Sequence, residues 1–232
     1  MFQTEFSYIE RGREQTMVLL PGWAFDNRIF ERLDLEYNYL FPNRLSAADF
    51  PQELLKCVRE IKTEKISLLG WSLGGYLALD FLREYPDLVR ETFLVSMRPL
   101  FPEEQIREQK SLFERDSRKY LTQFYRNCFL GQKDDYNWFC DNLQDLYLRN
   151  LNYDYLREGL DYLSNRGVDA GLPGRPRVRF FHGKHDHLAP LREMTGLKET
   201  VPALSLTVFE DSGHLPFLHP QFREKLHGHS DL

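Results

Sequence analysis

"KISLLGWSLGGYLALDFLREYP" runs from Lys65 to Pro86. The apolar run Ile66–Leu69 predicts a buried strand. From Leu73 the apolar spacing predicts a helix, stopped by Pro86. Between them lies Gly70-Trp71-Ser72-Leu73-Gly74, a G-x-S-x-G pattern. A sharp strand-to-helix turn would strain the serine backbone and expose its Oγ. Side chains at positions 70 and 74 would then collide with neighbouring backbone. The helix opening at Leu73 also points N–H groups at the turn, which favours developing negative charge. Ser72 is therefore the candidate nucleophile, and an ordinary tight turn is the competing reading.

Outward from this stretch, strand and helix patterns alternate. "MVLLPGW" reads as a buried strand and turn, "YNYLFPNRL" as a weaker strand, and "FPQELLKCVREIKTE" as an amphipathic helix. "ETFLVSM" is a further strand. The alternation stops from about residue 102 to 169. There "QIREQKSLFERDSRKYLTQFYRNCF" and "YNWFCDNLQDLYLRNLNYDYLREGLDYL" each read as helix. The sheet resumes at "RVRFFHG" and "SLTVFED". The expected architecture is one α/β core with a mainly parallel sheet, residues 1–101 and 170–232, interrupted by a helical cap, 102–169.

Composition sets outer bounds. The chain has 232 residues and a formal net charge of -5, with no long run of one sign. That suits one large domain and argues against nucleic acid as partner. No stretch approaches the roughly 20 apolar residues of a membrane span. The acidic N-terminal segment does not read as a secretory leader. Cys57, Cys128 and Cys140 are scattered and form no CxxC pair, so free thiols in a reducing cytoplasm are expected.

A serine hydroxyl needs a base, and the base an orienting acid. In a strand–elbow–helix setting the chain order is serine, acid, histidine. His214, in "FEDSGHLPFLHP", follows the last strand pattern and is the expected base, with His219 a rival. Asp186, in "FFHGKHDHLAP", is the expected acid, with Asp211 a rival. His182, His185, Asp186 and His187 also invite a metal reading, but three adjacent residues cannot all turn one way. The oxyanion donors are expected to be the backbone N–H groups of Leu73 and of Trp23, in the loop after the first core strand.

Together these segments resemble the serine α/β-hydrolase superfamily. The match spans the PGW loop, the GWSLGG elbow, the HGKHD loop and the SGHLPF loop. A more specific resemblance is to the esterases of biotin synthesis that act on pimeloyl-acyl carrier protein methyl ester. It rests on "GWSLGGYLALDFLREYPDLVRETFLVSM", "LREGLDYLSNRGVDAGLP" and "GHLPFLHP". It implies serine ester hydrolysis through Ser72, Asp186 and His214, with no cofactor or metal. It also implies an ester substrate carried by an acidic acyl carrier protein that docks on the cap. Arg107, Lys110, Arg115, Arg118, Lys119 and Arg126 offer basic charge there, and the first five are spaced to share a broad face of the first insert helix. A monomer is favoured, although the sequence does not set the oligomeric state. Two departures stand out. The usual D-x-P-G-x-G-x-S loop is replaced by "LFPNRLSAADFP", and Pro-Gly stands where many relatives have His-Gly. A small-ester carboxylesterase, a thioesterase and a carbon–carbon bond hydrolase or lyase share this triad, and a non-catalytic receptor can keep it.

Overall fold

The structure is a computed structural model that describes residues 5–43, 47, 49–164, 166–168 and 178–228. Seven strands form one sheet in the order β1-β3-β2-β4-β5-β6-β7. They are β1 (Phe6–Ile9), β2 (Thr16–Leu20), β3 (Asn38–Pro42), β4 (Ile66–Trp71), β5 (Val89–Val95), β6 (Val178–Gly183) and β7 (Ser205–Phe209). All neighbours pair in parallel except β1, which runs antiparallel to β3 at the edge. The sequence pattern missed β1. It is four residues long, its last two are exposed, and an edge strand of that kind carries little apolar alternation.

Every residue of β2 and β4 is buried, the mark of parallel strands covered on both faces. Helix α1 (Phe50–Glu60) begins with proline at its first turn and buries Leu54 and Val58. It packs on α2 (Leu73–Glu84), which covers β2, β4 and β5. On β6 and β7, α9 (Phe222–His227) packs through Phe222, whose ring lies 5.3 Å from Phe181 and 5.8 Å from Phe209. Between β7 and β6 lies α8 (Leu191–Thr200) in the chain order, its Met194 buried.

The predicted helical stretch lies between β5 and β6, but its two long helices are each broken. The first becomes α3 (Glu103–Arg115) and α4 (Ser117–Cys128). Asp116 leaves helical geometry (φ −155°, ψ 84°), and its carboxylate accepts from the Lys119 N–H to start α4. The basic residues expected on one helix are therefore divided between two. The second becomes α5 (Lys133–Phe139), a π-helical turn, α6 (Asp145–Arg149) and α7 (Tyr153–Leu163). Asn152 caps α7 by accepting from the Tyr155 N–H at 3.0 Å. Both breaks are set by local side-chain caps that apolar spacing does not register. The expected boundary at 169/170 lies outside the described residues, as do parts of the "LFPNRLSAADFP" and "SNRGVDAGLP" segments.

In parallel sheets ligands gather at the carboxyl ends of the strands. The register brings those ends level: Leu20 lies beside Gly70, Trp71 beside Val95, Val95 beside Phe181, and Gly183 beside Phe209. The loops after β2, β4, β5, β6 and β7 thus emerge at one edge, carrying Trp23, Ser72, Arg98, Asp186 and His214.

Candidate active site

Ser72 sits at φ 52°, ψ −116°, a conformation unusual for a residue with a Cβ. Its N–H is tied to the Val95 carbonyl at 2.8 Å. The glycines around it have steric causes. A Cβ on Gly70 would lie 2.6 Å from Gly75 Cα, and one on Gly74 would enter the carbonyl oxygens of Leu20 and Pro21. Leu73 opens α2, so its N–H has no intrahelical acceptor. Trp23 lies inside the turn closed by Phe25 N–H and Gly22 O, next to Ala24 at φ 62°.

His214 is buried, and its Nδ1 lies 2.8 Å from Asp186 Oδ2. The other carboxylate oxygen accepts from the N–H groups of Leu188 and Ala189 at 2.9 and 2.8 Å. Burial works to raise the Asp186 carboxyl. His214, His182 and the Ala189 N–H outweigh it and hold the group below its ordinary value. An ionised Asp186 must accept, so His214 Nδ1 carries the proton and Nε2 is left free to take one. Asp211 is exposed.

The four-residue histidine–aspartate cluster does not converge. His185 and His187 are exposed, while the His182 ring turns inward and donates Nε2–H to the Ala189 carbonyl at 2.6 Å. Burial lowers the His182 pKa. No group of three ligating side chains occurs among the described residues.

Ser72, His214 and Trp23 all line one cavity of about 200 Å³. Its remaining wall comes from the β5 loop, α3, α4, α7 and the Asp186 loop, through Arg98, Phe101, Gln105, Ile106, Gln109, Tyr120, Phe124, Leu160, Leu163, His187 and Leu188. The inserted helices also grip the loop after β2. The Trp23 indole donates to the Leu156 carbonyl of α7 at 2.7 Å, and the Tyr125 hydroxyl of α4 donates to the Ala24 carbonyl at 2.9 Å. Gly159 explains itself here, because a Cβ would lie 2.7 Å from the Trp23 ring.

Two residues that hold the His214 loop were not anticipated. The Trp71 indole donates to the His214 carbonyl at 2.8 Å. Gln132, from the turn after α4, accepts from the Gly213 N–H and donates to the Leu215 carbonyl, each at 3.0 Å. The His214 N–H itself donates to the Cys128 carbonyl at 3.0 Å. Trp71 stands inside the G-x-S-x-G pattern, which gave a signal of place if not of role. Nothing in "FLGQKDD" marks Gln132.

Residues 17–223 match the model of the alpha/beta hydrolase family, and the chain belongs to that family. Among curated relatives, it is 23% identical to the pimeloyl-[acyl-carrier protein] methyl ester esterase of Legionella pneumophila (strain Paris), over 90% of this chain and 91% of that one. It is 31% identical to the enzyme of the same name from Aromatoleum aromaticum, over 66% and 68%. Among solved structures, an esterase from Exiguobacterium antarcticum superposes with a TM-score of 0.80 at 22% identity, covering 96% of this chain and 94% of that one. A bromoperoxidase from Bacillus anthracis reaches 0.81 at 17% identity, with coverage of 96% and 94%. At these identities the structural likeness speaks for the fold alone.

Proposed function

We propose that the protein is a serine carboxylic-ester hydrolase, and that its substrate is the methyl ester of a pimeloyl group on acyl carrier protein. The observation that carries the reaction is the buried His214 Nδ1–Asp186 Oδ2 pair at 2.8 Å, whose His214 lines the same cavity as the strained Ser72. Ser72 Oγ attacks the ester carbonyl as His214 Nε2 takes its proton. Asp186 keeps Nδ1 protonated and stabilises the imidazolium. The N–H groups of Leu73 and Trp23 receive the oxyanion. The alcohol departs with the proton from His214, leaving an acyl-Ser72 ester, which water cleaves by the same route. In this reading α3 to α7 form a cap over the reacting atoms.

The choice of substrate is supported by the names of the curated relatives and by the exposed basic residues on α3 and α4. Arg115, Lys119 and Arg126 join no ion pair among the described residues. Arg107, Lys110 and Arg118 face Glu103, Asp161 and Asp145 at 3.8, 2.5 and 4.0 Å. The reaction is tested by fluorophosphonate labelling. Label on Ser72 and loss of p-nitrophenyl ester hydrolysis in Ser72→Ala are expected, and unchanged hydrolysis by Ser72→Ala would refute it. The substrate is tested by rescue of a biotin auxotroph that lacks its own methyl esterase. Failure to rescue, alongside sound p-nitrophenyl esterase activity, would favour a generic carboxylesterase.

A further inference from the structure

One part of the cavity wall has no role in the proton and acyl transfers above. It consists of Arg98, Gln105, Gln109 and Tyr120. Arg98 follows β5 and is only 8% exposed. Its Nε and Nη2 donate to the two oxygens of Glu193 at 2.9 and 2.7 Å, and its Nη1 donates to Gln105 Oε1 at 2.7 Å. A guanidinium has five N–H donors, so those three bonds leave two. The Tyr120 hydroxyl donates to Gln109 Oε1. Burial raises the Tyr120 phenol and keeps it a donor.

These bonds share one sense. Gln105 Oε1 and Gln109 Oε1 in the wall, and Glu193 paired with Arg98, each already accept from within the protein. The side-chain NH2 groups of Gln105 and Gln109 have no acceptor among the described residues. What the wall offers a ligand is hydrogen-bond donors. It offers them without net charge, because Glu193 cancels Arg98 in a bidentate pair. Asp186 cancels the cation that forms on His214. A carboxylate entering against the buried Arg98 would lose much of its hydration, Gln105 alone of Arg98, Gln105 and Gln109 being exposed, and meet no uncompensated cation. Trp23, Phe124, Leu160 and Leu163 line the same cavity and suit a chain of methylenes.

We propose that Arg98, Gln105 and Gln109 form a specificity subsite for an uncharged carbonyl at the far end of the acyl chain, and that the Arg98–Glu193 pair rejects a free carboxylate there. The inference rests on the ester-hydrolysis reading. Its ligand class is an ester, thioester or amide carbonyl.

The test uses three methyl esters of matched length: dimethyl pimelate, monomethyl pimelate and methyl heptanoate. Each kcat/KM is divided by the same protein's value for p-nitrophenyl acetate. For the wild type at pH 8, dimethyl pimelate is expected to exceed methyl heptanoate about tenfold, because the latter leaves the donors unmatched. It is expected to exceed monomethyl pimelate by more. Glu193→Gln unmasks the Arg98 charge, so monomethyl pimelate should gain about tenfold relative to the diester, mainly through KM. Arg98→Met should abolish the preference for the diester over methyl heptanoate. The S-(N-acetylcysteamine) thioester of monomethyl pimelate, run beside the diester, separates a thioester from an oxygen ester as the preferred group. Equal wild-type rates on all three methyl esters overturn the subsite while leaving the hydrolase reading intact, and that arm needs no variant to fold. Preference for monomethyl pimelate overturns it also. Inertness towards every ester, p-nitrophenyl acetate included, overturns the hydrolase reading first.

Discussion

Gln132→Ala is the perturbation that best separates what the inserted helices do for the site from what the core does. The side chain is buried and makes three bonds: from the Gly213 N–H, to the Leu215 carbonyl, and to Asp135 at 3.1 Å. The first two bracket His214 along the chain. Truncation leaves the buried Gly213 N–H without a partner, at about 1–3 kcal/mol, whereas the Leu215 carbonyl keeps the bond it accepts from the Leu218 N–H at 3.1 Å. A loss of about 1–3 kcal/mol is therefore expected. For a chain of this size that corresponds to a fall of roughly 2–12 °C in Tm. His214, the proposed base, would also lose its setting, and misplacement by about 1 Å costs on the order of 10²-fold in rate. Thermal and urea unfolding give the stability, and p-nitrophenyl ester kinetics give the rate, with kcat falling and KM nearly constant. Gln132→Met keeps the side chain's bulk and isolates the hydrogen bonds. A Met variant within about 0.5 kcal/mol and twofold of wild type in stability and kcat would refute the argument.

Asp186→Asn should favour the wrong imidazole tautomer and lower turnover by about 10³–10⁴, while Asp211→Asn, at an exposed site, should be mild; the reverse ordering in a pNP-ester assay would move the acid to Asp211. Replacing Arg115, Arg118 and Lys119 together by Glu should slow cleavage of a carrier-bound methyl ester and spare a small soluble ester. Added salt should do the same to the wild type, since exposed charges are screened beyond about 8–10 Å; an unchanged ratio of the two rates would exclude docking through α3 and α4. His182 should make folding stability pH-dependent below 6.5. Its folded pKa is lowered by burial, so the unfolded chain binds the proton first. The His182 contribution is complete above 6.5 and is lost as pH falls towards the folded value. The depressed Asp186 pKa acts lower still, its contribution being lost only below about 3.8. Urea midpoints at pH 8, 7, 6 and 5 should decline for wild type and flatten for His182→Gln, and parallel curves would remove His182 as the cause.

Features that depend on neighbours along the chain could be read from the residues alone. Buried parallel strands are continuous apolar runs, so β2 and β4 were legible, as was the elbow, where Gly70 answers a steric demand set within a few residues, while Gly74 answers to the Leu20 and Pro21 carbonyls of the neighbouring strand and its loop. The break between α3 and α4 was written locally too, in the Asp116 cap, but one carboxylate–amide bond is silent to apolar spacing. What the chain alone left open was the pairing of distant groups. Asp186 and Asp211 were rival acids because distance along the chain says nothing about direction, and only the β6–β7 register and the inward turn of the Asp186 loop set one beside His214. Gln132, Arg98 and Glu193 belong to the same class. Each is an ordinary polar residue whose meaning comes from partners 81, 95 and 95 positions away. Hydrogen bonds of that kind are short-ranged and directional. They exist only after the sheet has brought five loop ends to one edge, and no periodicity in the sequence encodes them.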